Sequence, residues 1–414
     1  MRLASWLRPC LLFVSTIAGA AESQGLPTER PDKVGFAAAG LARIDSAMRA
    51  YVTEGKLAGI VVAVAKDGRL AHWKAFGLRS VEAKAPMKPN DLFRIASMTK
   101  PITSTAIMIL VDAGKISLDD PVAKYLPAFG AVKVWTPSGP VPPRRPMTVR
   151  DLLRHTSGLT YGIFGQTPVD SLYRKMPAAT DLADLTDKLA QLPLVGHPGE
   201  VWNYSYSTDV LGRIVEVVSG VSLDRFFAER IFAPLKMKDS FFEVPVAKRS
   251  RFTGTYARSG PGRFRLVDSP DSGTYTRPAK VLSGGGGLVS STSDYLRFAQ
   301  MILNRGELDG ARLLKPGTVT EMLRNQLPGE MVPAIGALLK LEGTGFGLGF
   351  NVIVNGLDPL QGSNGTASWA GIANTYFFID PVTKLIGVLM TQFTPFGAYP
   401  LDTEFRRLVY SALR

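Results

Sequence analysis

Residues 93–102 read FRIASMTKPI and place a serine, Ser97, three positions before a lysine, Lys100. In the first turn of a helix, residues three apart lie on one face, so these two side chains would meet. A serine at a helix start also lies near unpaired backbone N–H groups, which stabilise developing negative charge. The tetrad predicts either a nucleophile with its own base or the polar start of an ordinary helix. Because a motif this short also arises by chance, the rest of the chain has to decide.

Other catalytic arrangements find little support in the sequence. There is no G-x-S-x-G, which excludes a nucleophile elbow. The three histidines, His72, His155 and His197, lie far apart in the chain without the spacing of metal ligands. We interpret each histidine as structural, with His155 and Gly158 shaping a turn. No metal or organic cofactor is expected.

Residues 1–21 have the layout of a signal peptide. Arg2 and Arg8 precede or interrupt an apolar run that ends in the small residues 18–21. A membrane anchor is the alternative, but the run is short for a bilayer span. The pattern therefore predicts an exported protein, periplasmic or secreted. The only cysteine, Cys10, lies in this segment, so the mature chain would have neither disulfides nor thiolate metal sites.

Composition indicates a globular protein with a basic surface. Of the 414 residues, 45% are hydrophobic and 20% are charged, and the formal net charge is +13. The basic residues are scattered, their densest group is PPRRP at 142–146, and no nucleic-acid-binding motif accompanies them. We therefore expect a small-molecule substrate, no nucleic-acid partner and no stable membrane insertion after signal cleavage. The oligomeric state is left open.

Periodicity predicts strands at both ends of the mature chain. A helical pattern at 38–55 is followed by a hairpin turning at 66–68, and strand-like segments recur at 346–354, 366–380 and 384–393 before a terminal helix. These patterns favour an α/β fold of the α+β type. One antiparallel sheet would be built from both chain ends, flanked by helices, with a mostly helical region inserted between them.

The middle of the chain is predicted to be helical. Helices are expected at about 98–113, within 148–159, and at 180–192 and 208–220, and Ser293–Asp294 would cap another after a run of four glycines. The predicted organisation is a signal peptide at 1–21, a discontinuous sheet domain of 22–88 plus 292–414, and an inserted domain of 89–291. An active-site cleft should form where the two domains meet.

Five segments appear in an order that carries a family resemblance. They read FRIASMTKPIT, DAGKISLDDPVAKYLP, LLRHTSGLTY, PGEVWNYSYSTDVLGRIVE and SWAGIANTYFFIDP. Together they resemble the serine β-lactamase-related superfamily, with its β-lactamase/transpeptidase-like fold. The similarity is greatest to family VIII carboxylesterases and to relatives of class C β-lactamases. It extends over roughly residues 35–410, and the ordered set is more specific than any single segment.

The resemblance implies a role for each matching residue. Ser97 would be the acylated nucleophile, and Lys100 would share or relay its proton. Tyr204, the first tyrosine of YSY, matches the family's Tyr-x-Asn tyrosine and would be the general base. The backbone N–H groups of Ser97 and Ile372 would form the oxyanion hole. Whether Lys100 or Tyr204 is the principal base is left open.

Departures from the family pattern concern substrate binding. Tyr206 stands where Tyr-x-Asn has asparagine, and Trp369-Ala370-Gly371 stands where β-lactamases have Lys-Thr-Gly. Tyr161 falls where relatives line the acyl pocket. A tryptophan offers an apolar wall and one N–H instead of a cation, so it cannot form an ion pair with a carboxylate. The departures therefore favour short or apolar acyl esters over anionic β-lactams.

The sequence thus predicts an exported serine hydrolase, a carboxylesterase working through a Ser97 acyl-enzyme. Alternatives with the same site are a β-lactamase, a D-amino-acid peptidase resembling penicillin-binding proteins, and an acyltransferase. An alternative of another class is a non-catalytic envelope binding protein on the same fold.

Overall fold

The computed structural model describes residues 25–335, 339–356 and 358–414. The predicted signal peptide lies outside this range. The helices of the described residues are α1 (Ala38–Thr53), α2 (Thr99–Asp112), α3 (Val149–Leu153), α4 (Pro168–Arg174), α5 (Leu182–Ala190), α6 (Ser207–Ser219), α7 (Leu223–Phe227), α8 (Thr292–Leu303), α9 (Pro316–Leu323) and α10 (Leu401–Ser411). Within this part of the chain, no helix has the length and apolarity needed to cross a bilayer.

The strands run from β1 to β17. They are β1 (Gly59–Lys66), β2 (Arg69–Ser80), β3 (Ala85–Pro86), β4 (Leu92–Arg94), β5 (Thr255–Gly260), β6 (Arg263–Asp268), β7 (Val289–Ser291), β8 (Glu307–Leu308), β9 (Ala311–Arg312), β10 (Ala334–Ile335), β11 (Leu339–Lys340), β12 (Thr344–Phe346), β13 (Asn351–Ile353), β14 (Ala367–Ala370), β15 (Tyr376–Asp380), β16 (Leu385–Thr391) and β17 (Phe393–Thr394).

The main sheet joins the two ends of the chain, as the sequence predicts. Its strand order is β12-β13-β14-β15-β16-β1-β2-β3, and every neighbouring pair is antiparallel. Strand β1 lies between β16 and β2, so that Ala63 pairs with both Val388 and Trp73. The N-terminal strands β1, β2 and β3 therefore complete a sheet whose other strands come from residues 344–391.

Both faces of this sheet are covered by helices. Side chains alternate along β1, so Val61 faces one apolar cluster while Val62 faces the other. The cluster containing Val62 includes Ile44 of α1 and Phe405 of α10. The cluster containing Val61 extends through α8 and α2 into the middle of the chain. Each fully buried Val or Ile contributes about 1.5–3 kcal/mol of hydrophobic stabilisation, which explains why β1 is apolar along nearly its whole length.

Most predicted elements are present, with three local differences. The helix after the glycine run is capped by Ser291, whose side chain accepts from the Asp294 N–H, so the prediction of a Ser293–Asp294 cap was wrong. The strand-like segment 366–380 contains two strands, β14 and β15, joined by a tight turn. The middle region, predicted as mostly helical, also contains the hairpin β5–β6, and Phe393 pairs with it in parallel.

A short strand pair positions the nucleophile segment. Strand β4 pairs with β7 in antiparallel register, with Phe93 opposite Ser290. The chain then continues through a single 3-10 turn, Ala96–Met98, into α2. Helix α2 is buried along nearly its whole length, so its first turn is held by packing on several sides. The tetrad therefore lies at the boundary between the sheet and the helical part of the molecule.

Candidate active site

The structure brings Ser97 and Lys100 into direct contact. Lys100 Nζ donates to Ser97 Oγ over 3.1 Å, across the junction of the 3-10 turn with α2. This is the contact that the i, i+3 spacing predicts. Pro101 is the third residue of α2, where its missing N–H removes no helical hydrogen bond, because the first four N–H groups of a helix have no partner within it.

The residue before Ser97 has a strained backbone. Ala96 has a φ of +44°, a conformation that residues with a β-carbon rarely adopt. Such strain persists where surrounding contacts hold it, and it is common at functional sites. Here the Ile95 N–H is bonded to the Leu288 carbonyl, and the Met98 N–H is bonded to the Ile95 carbonyl. These bonds fix the segment on both sides of Ala96 and direct Ser97 toward Lys100.

Lys100 is almost completely buried. The residue is only 1% exposed. Its Nζ donates a second hydrogen bond, of 2.6 Å, to the Gly285 carbonyl oxygen. Two aromatic faces complete its surroundings, with Nζ 4.5 Å from the ring centre of Tyr204 and 5.3 Å from that of Tyr161. These rings enclose Nζ without supplying a counter-ion.

Tyr204 lies on the other side of Lys100, and its hydroxyl is bonded to Trp369. The indole Nε1–H of Trp369 donates to Tyr204 Oη over 3.2 Å. The rings of the two residues are 5.4 Å apart, and both residues are buried. The sequence-predicted trio of Ser97, Lys100 and Tyr204 is thus assembled in one place, with Tyr204 approaching Lys100 through its ring face.

His155 packs against the tyrosine as a neutral ring. It is buried and adopts a φ of +58°, and Gly158 follows with a φ of +85°, so both residues shape the turn after α3. The His155 ring lies 4.9 Å from that of Tyr204, and its Nδ1 lies 3.3 Å from Ser205 Oγ. Burial, and secondarily the nearby Lys100, hold the pKa of His155 well below its usual range. The imidazole therefore carries no charge at neutral pH.

The other two histidines make contacts elsewhere. His72 Nε2 lies 2.9 Å from Asp45 Oδ1, and the Arg144 N–H donates to His197 Nδ1 over 3.2 Å. Among the residues that the structure describes, no group of three or more His, Cys, Asp and Glu side chains is arranged to hold a metal ion.

A close approach of the backbone occurs at Gly371, the residue before the predicted oxyanion-hole donor Ile372. A β-carbon at this position would lie 2.5 Å from the Ile95 carbonyl oxygen and 2.3 Å from Thr375 Oγ1, so only glycine fits. This contact puts the turn after β14 against the segment that leads to Ser97. Within the described residues, the N–H groups of Ser97 and Ile372 donate to no other backbone group. These two N–H groups stay the predicted donors to a substrate oxygen.

Tyr161 and Tyr206 form one wall of a cavity. Their rings are 4.6 Å apart, and the cavity beside them has a volume of about 430 Å³. Burial, followed by the nearby Asp209, raises the pKa of both phenols, so both are neutral donors at neutral pH. The lining is mainly aromatic and aliphatic: Tyr161, Ile163, Tyr173, Arg174, Met176, Pro177, Ala178, Ala179, Leu185, Tyr206, Asp209, Val281 and Ser283. Of the other predicted substrate-binding residues, Trp369 contacts Tyr204 and Gly371 approaches the segment before Ser97, whereas Ala370 packs against the apolar cluster that contains Val62.

Sequence reasoning missed one buried acid at this site. Asp209, in the first turn of α6, accepts hydrogen bonds from Ser283 Oγ over 2.5 Å and from the Gly285 N–H over 3.1 Å. Burial raises its pKa, while Ser283, Lys100 and the Gly285 N–H oppose the rise. An aspartate in the first turn of an amphipathic helix is typical of an exposed helix end, where it stabilises the helix dipole. The sequence pattern therefore did not indicate that Asp209 is buried at the site.

The chain matches known proteins over most of its length. The Beta-lactamase family model matches residues 44–411. Protein Rv1367c of Mycobacterium tuberculosis is 36% identical over 366 residues, covering 84% of this chain and 89% of that protein. Esterase EstB of Burkholderia gladioli is 32% identical over 398 residues, covering 89% and 95% of the two chains.

A solved structure extends the match to the fold. EstCE1, described as a hydrolase with promiscuous acyltransferase activity, superimposes with a TM-score of 0.75 at 26% identity, covering 90% of this chain and 98% of that one. The family model and these similarities each extend over most of the chain. The chain therefore belongs to the β-lactamase family and is a serine hydrolase.

Proposed function

We propose that this protein is an exported carboxylesterase that cleaves short or apolar acyl esters through a Ser97 acyl-enzyme. The observation that carries the proposal is the 3.1 Å hydrogen bond between Lys100 Nζ and Ser97 Oγ, beside the ring of Tyr204. A serine hydroxyl needs an adjacent base to become a nucleophile, and the lysine and tyrosine are the candidates in contact with it or with each other.

The reaction would proceed in two half-reactions. Ser97 Oγ attacks the ester carbonyl carbon as its proton passes to the Lys100–Tyr204 pair. The carbonyl oxygen becomes an oxyanion that accepts hydrogen bonds from the N–H groups of Ser97 and Ile372. The intermediate collapses, the bond to the alkoxy oxygen breaks, and the alcohol leaves with the proton returned through Tyr204. Water then attacks the acyl-enzyme in the same manner and releases the carboxylic acid.

The preference for esters over β-lactams rests on Trp369. Its single N–H is committed to Tyr204, so the remaining surface of the indole is an apolar wall. No cation stands at this position to bind the carboxylate of a β-lactam. Tyr206 replaces the asparagine amide of the related motif and instead packs against Tyr161. Neutral acyl esters avoid the cost of desolvating an unpaired carboxylate in such a site.

Acyl transfer is the second candidate. The description of EstCE1 joins hydrolysis with acyltransferase activity, and both reactions share the same acyl-enzyme. They differ only in whether water or an alcohol attacks it. Adding an alcohol to a p-nitrophenyl ester assay separates them, since transfer yields a new ester and increases p-nitrophenol release when deacylation is slow.

A substrate panel tests the proposal directly. We expect p-nitrophenyl butyrate to be hydrolysed faster than nitrocefin or a D-alanyl dipeptide, with Ser97→Ala inactive on all three. Faster turnover of nitrocefin than of the ester would overturn the ester preference. Intact-mass spectrometry after a fluorophosphonate probe addresses the binding-protein alternative, because a wild-type protein that stays unlabelled would contradict any acyl-enzyme.

Export is the remaining part of the proposal. It rests on the arginines and the apolar run of residues 1–21. Expression of the full chain in a bacterial host, followed by fractionation and N-terminal sequencing, should yield a periplasmic or secreted product that begins near residue 22. A full-length product retained in the cytoplasm would contradict it.

A further inference from the structure

The lysine of the candidate site is held by a loop that a buried carboxyl group anchors. The loop 283–287 contains the four-glycine run and is hydrogen-bonded to α2 through Thr103 and to α6 through Asp209. Lys100 Nζ donates to the Gly285 carbonyl oxygen over 2.6 Å, which is shorter than its bond to Ser97. The position of this carbonyl therefore decides where Lys100 Nζ can lie.

The same glycine is bonded to Asp209 through its N–H. Asp209 Oδ1 accepts hydrogen bonds from the Gly285 N–H over 3.1 Å and from Ser283 Oγ over 2.5 Å. One carboxyl oxygen therefore binds the loop at two residues. Asp209 is itself 2% exposed and lies in α6, a separate element from Lys100. The hydrogen bonds of Asp209 connect α6 to the loop 283–287, and the Gly285 carbonyl oxygen connects that loop to Lys100 of α2.

Close packing shows that the arrangement is specific. A β-carbon on Gly285 would lie 2.5 Å from Asp209 Oδ2 and 2.8 Å from Tyr161 Oη. The neighbouring Gly284 is fixed as well, because Thr103 Oγ1 donates to its carbonyl oxygen over 2.7 Å. The loop thus has little room to relax if one of its hydrogen bonds is lost.

The Gly285 carbonyl oxygen is the hydrogen-bond acceptor that the loop 283–287 offers to Lys100. Among the described residues, no carboxylate forms an ion pair with Lys100, and its hydrogen-bond acceptors are Ser97 Oγ and the Gly285 carbonyl oxygen, beside the faces of two tyrosine rings. Ring faces attract a cation without fixing its position as closely as a hydrogen bond does. The carbonyl of Gly285 is therefore the group that orients Nζ toward Ser97.

We infer that Asp209 is a positioning residue: its carboxyl group holds the Gly285 peptide, and the Gly285 carbonyl oxygen holds Lys100 Nζ within hydrogen-bond distance of Ser97. The inference rests on the proposed acyl-enzyme function, and it adds a residue whose hydrogen bonds go to the loop 283–287 and not to the nucleophile. Hydrogen-bond acceptance is the property that matters, so an asparagine oxygen should substitute for the carboxylate.

The test compares Asp209→Ala with Asp209→Asn. We expect Asp209→Ala to slow fluorophosphonate labelling of Ser97, and to lower kcat on p-nitrophenyl butyrate, by about 10- to 100-fold, with KM changed by less than about twofold. Asp209→Asn should stay within about threefold of wild type, since its amide oxygen can accept both bonds. A general loss of folded protein would not produce this split between the two variants.

Asp294→Asn is the matched control. Asp294 is also a buried carboxyl in the first turn of a helix, α8, where it accepts from the Asp239 N–H and from Ser240 Oγ. Its substitution should leave the labelling rate of Ser97 unchanged. If Asp209→Ala does not fold, Gly285→Ala supplies the same test, because the added β-carbon displaces the loop from Asp209 while the carboxylate remains.

The possible results distinguish this inference from the proposed function. A wild-type protein that is never labelled would overturn the acyl-enzyme itself, and the inference with it. Normal labelling of wild type and equally fast labelling of Asp209→Ala would overturn the positioning role alone. Asp209→Asn as slow as Asp209→Ala would also overturn it, because charge and not hydrogen-bond acceptance would then be the requirement.

Discussion

Trp369 donates its indole N–H to the hydroxyl oxygen of Tyr204, over 3.2 Å and across 165 positions of the chain. The tryptophan occupies the place where β-lactamases carry a cationic lysine, and it still presents one hydrogen-bond donor to the tyrosine. A donor at this oxygen stabilises the negative charge that forms when the phenol gives up its proton. Trp369 is therefore bonded to the hydroxyl of a proposed general base as well as forming an apolar wall.

Trp369→Phe should separate these two properties. The substitution keeps an aromatic wall and removes the N–H, so we expect kcat on p-nitrophenyl butyrate to fall by about tenfold with little change in KM, because one hydrogen bond to the developing charge is lost. Steady-state kinetics with both parameters determined provide the measurement. Trp73→Phe, which removes an indole from β2, should retain wild-type kinetics. A rise in KM with unchanged kcat would instead assign Trp369 to substrate binding only.

Lys100→Met should abolish most activity while leaving the fold intact. Methionine fills a similar volume without donating to Ser97 or Gly285, so we expect kcat to fall on the order of 10³-fold, within the range of a lost general base. Stopped-flow acylation with p-nitrophenyl butyrate and a thermal melt give the two readouts. Lys124→Met removes an exposed lysine that pairs with Asp120 and should change neither. Acylation at the wild-type rate in Lys100→Met would remove the lysine from the mechanism.

Gly371→Ala should damage the oxyanion hole through the backbone. The new β-carbon would lie 2.5 Å from the Ile95 carbonyl oxygen, so the turn carrying the Ile372 N–H must move away from Ser97. We expect kcat to fall by about 10²-fold, the magnitude seen when one oxyanion donor is removed, together with a lower Tm. Gly317→Ala is the control, because nothing lies within 4 Å of its β-carbon position in α9. It should stabilise the protein by about 0.4–1 kcal/mol without affecting activity.

The buried Asp294 should make stability depend on pH. Burial raises the pKa of its carboxyl group from 3.8 to about 7, and its Oδ1 has no hydrogen-bond partner among the described residues. Between about pH 4 and pH 7 the folded state keeps a proton that the unfolded state has released. The stabilisation from this group is therefore fully present below about pH 4 and is lost as the pH rises through about 7.

Asp294→Asn tests this dependence, because asparagine resembles the protonated carboxyl group and does not titrate. We expect wild type to lose a few kcal/mol of unfolding free energy, relative to the variant, between about pH 4 and pH 7.5. Urea unfolding of both proteins at several pH values measures the difference. Parallel pH profiles for the two proteins would show that the carboxyl group is ionised throughout.

Local patterns in the sequence predicted the elements whose contacts are also local. The hairpin β1–β2, helices α1, α2 and α6, and the meeting of Ser97 with Lys100 all depend on residues a few positions apart. Periodicity and i, i+3 spacing describe such contacts directly. The exact cap of α8 was missed because Ser291 and Ser293 are equally good capping residues by type, and only the backbone conformation selects one.

The sequence by itself determined the family, the order of its motifs and the likeness of Ser97, Lys100 and Tyr204 to a catalytic trio. Only the tertiary structure decided which groups surround that trio: Trp369 on the hydroxyl of Tyr204, and Asp209 on the loop that holds Lys100. These pairs lie 165 and 76 positions apart. Contacts at such separations are set by how the sheet and helices pack around one core, and no local periodicity encodes that packing.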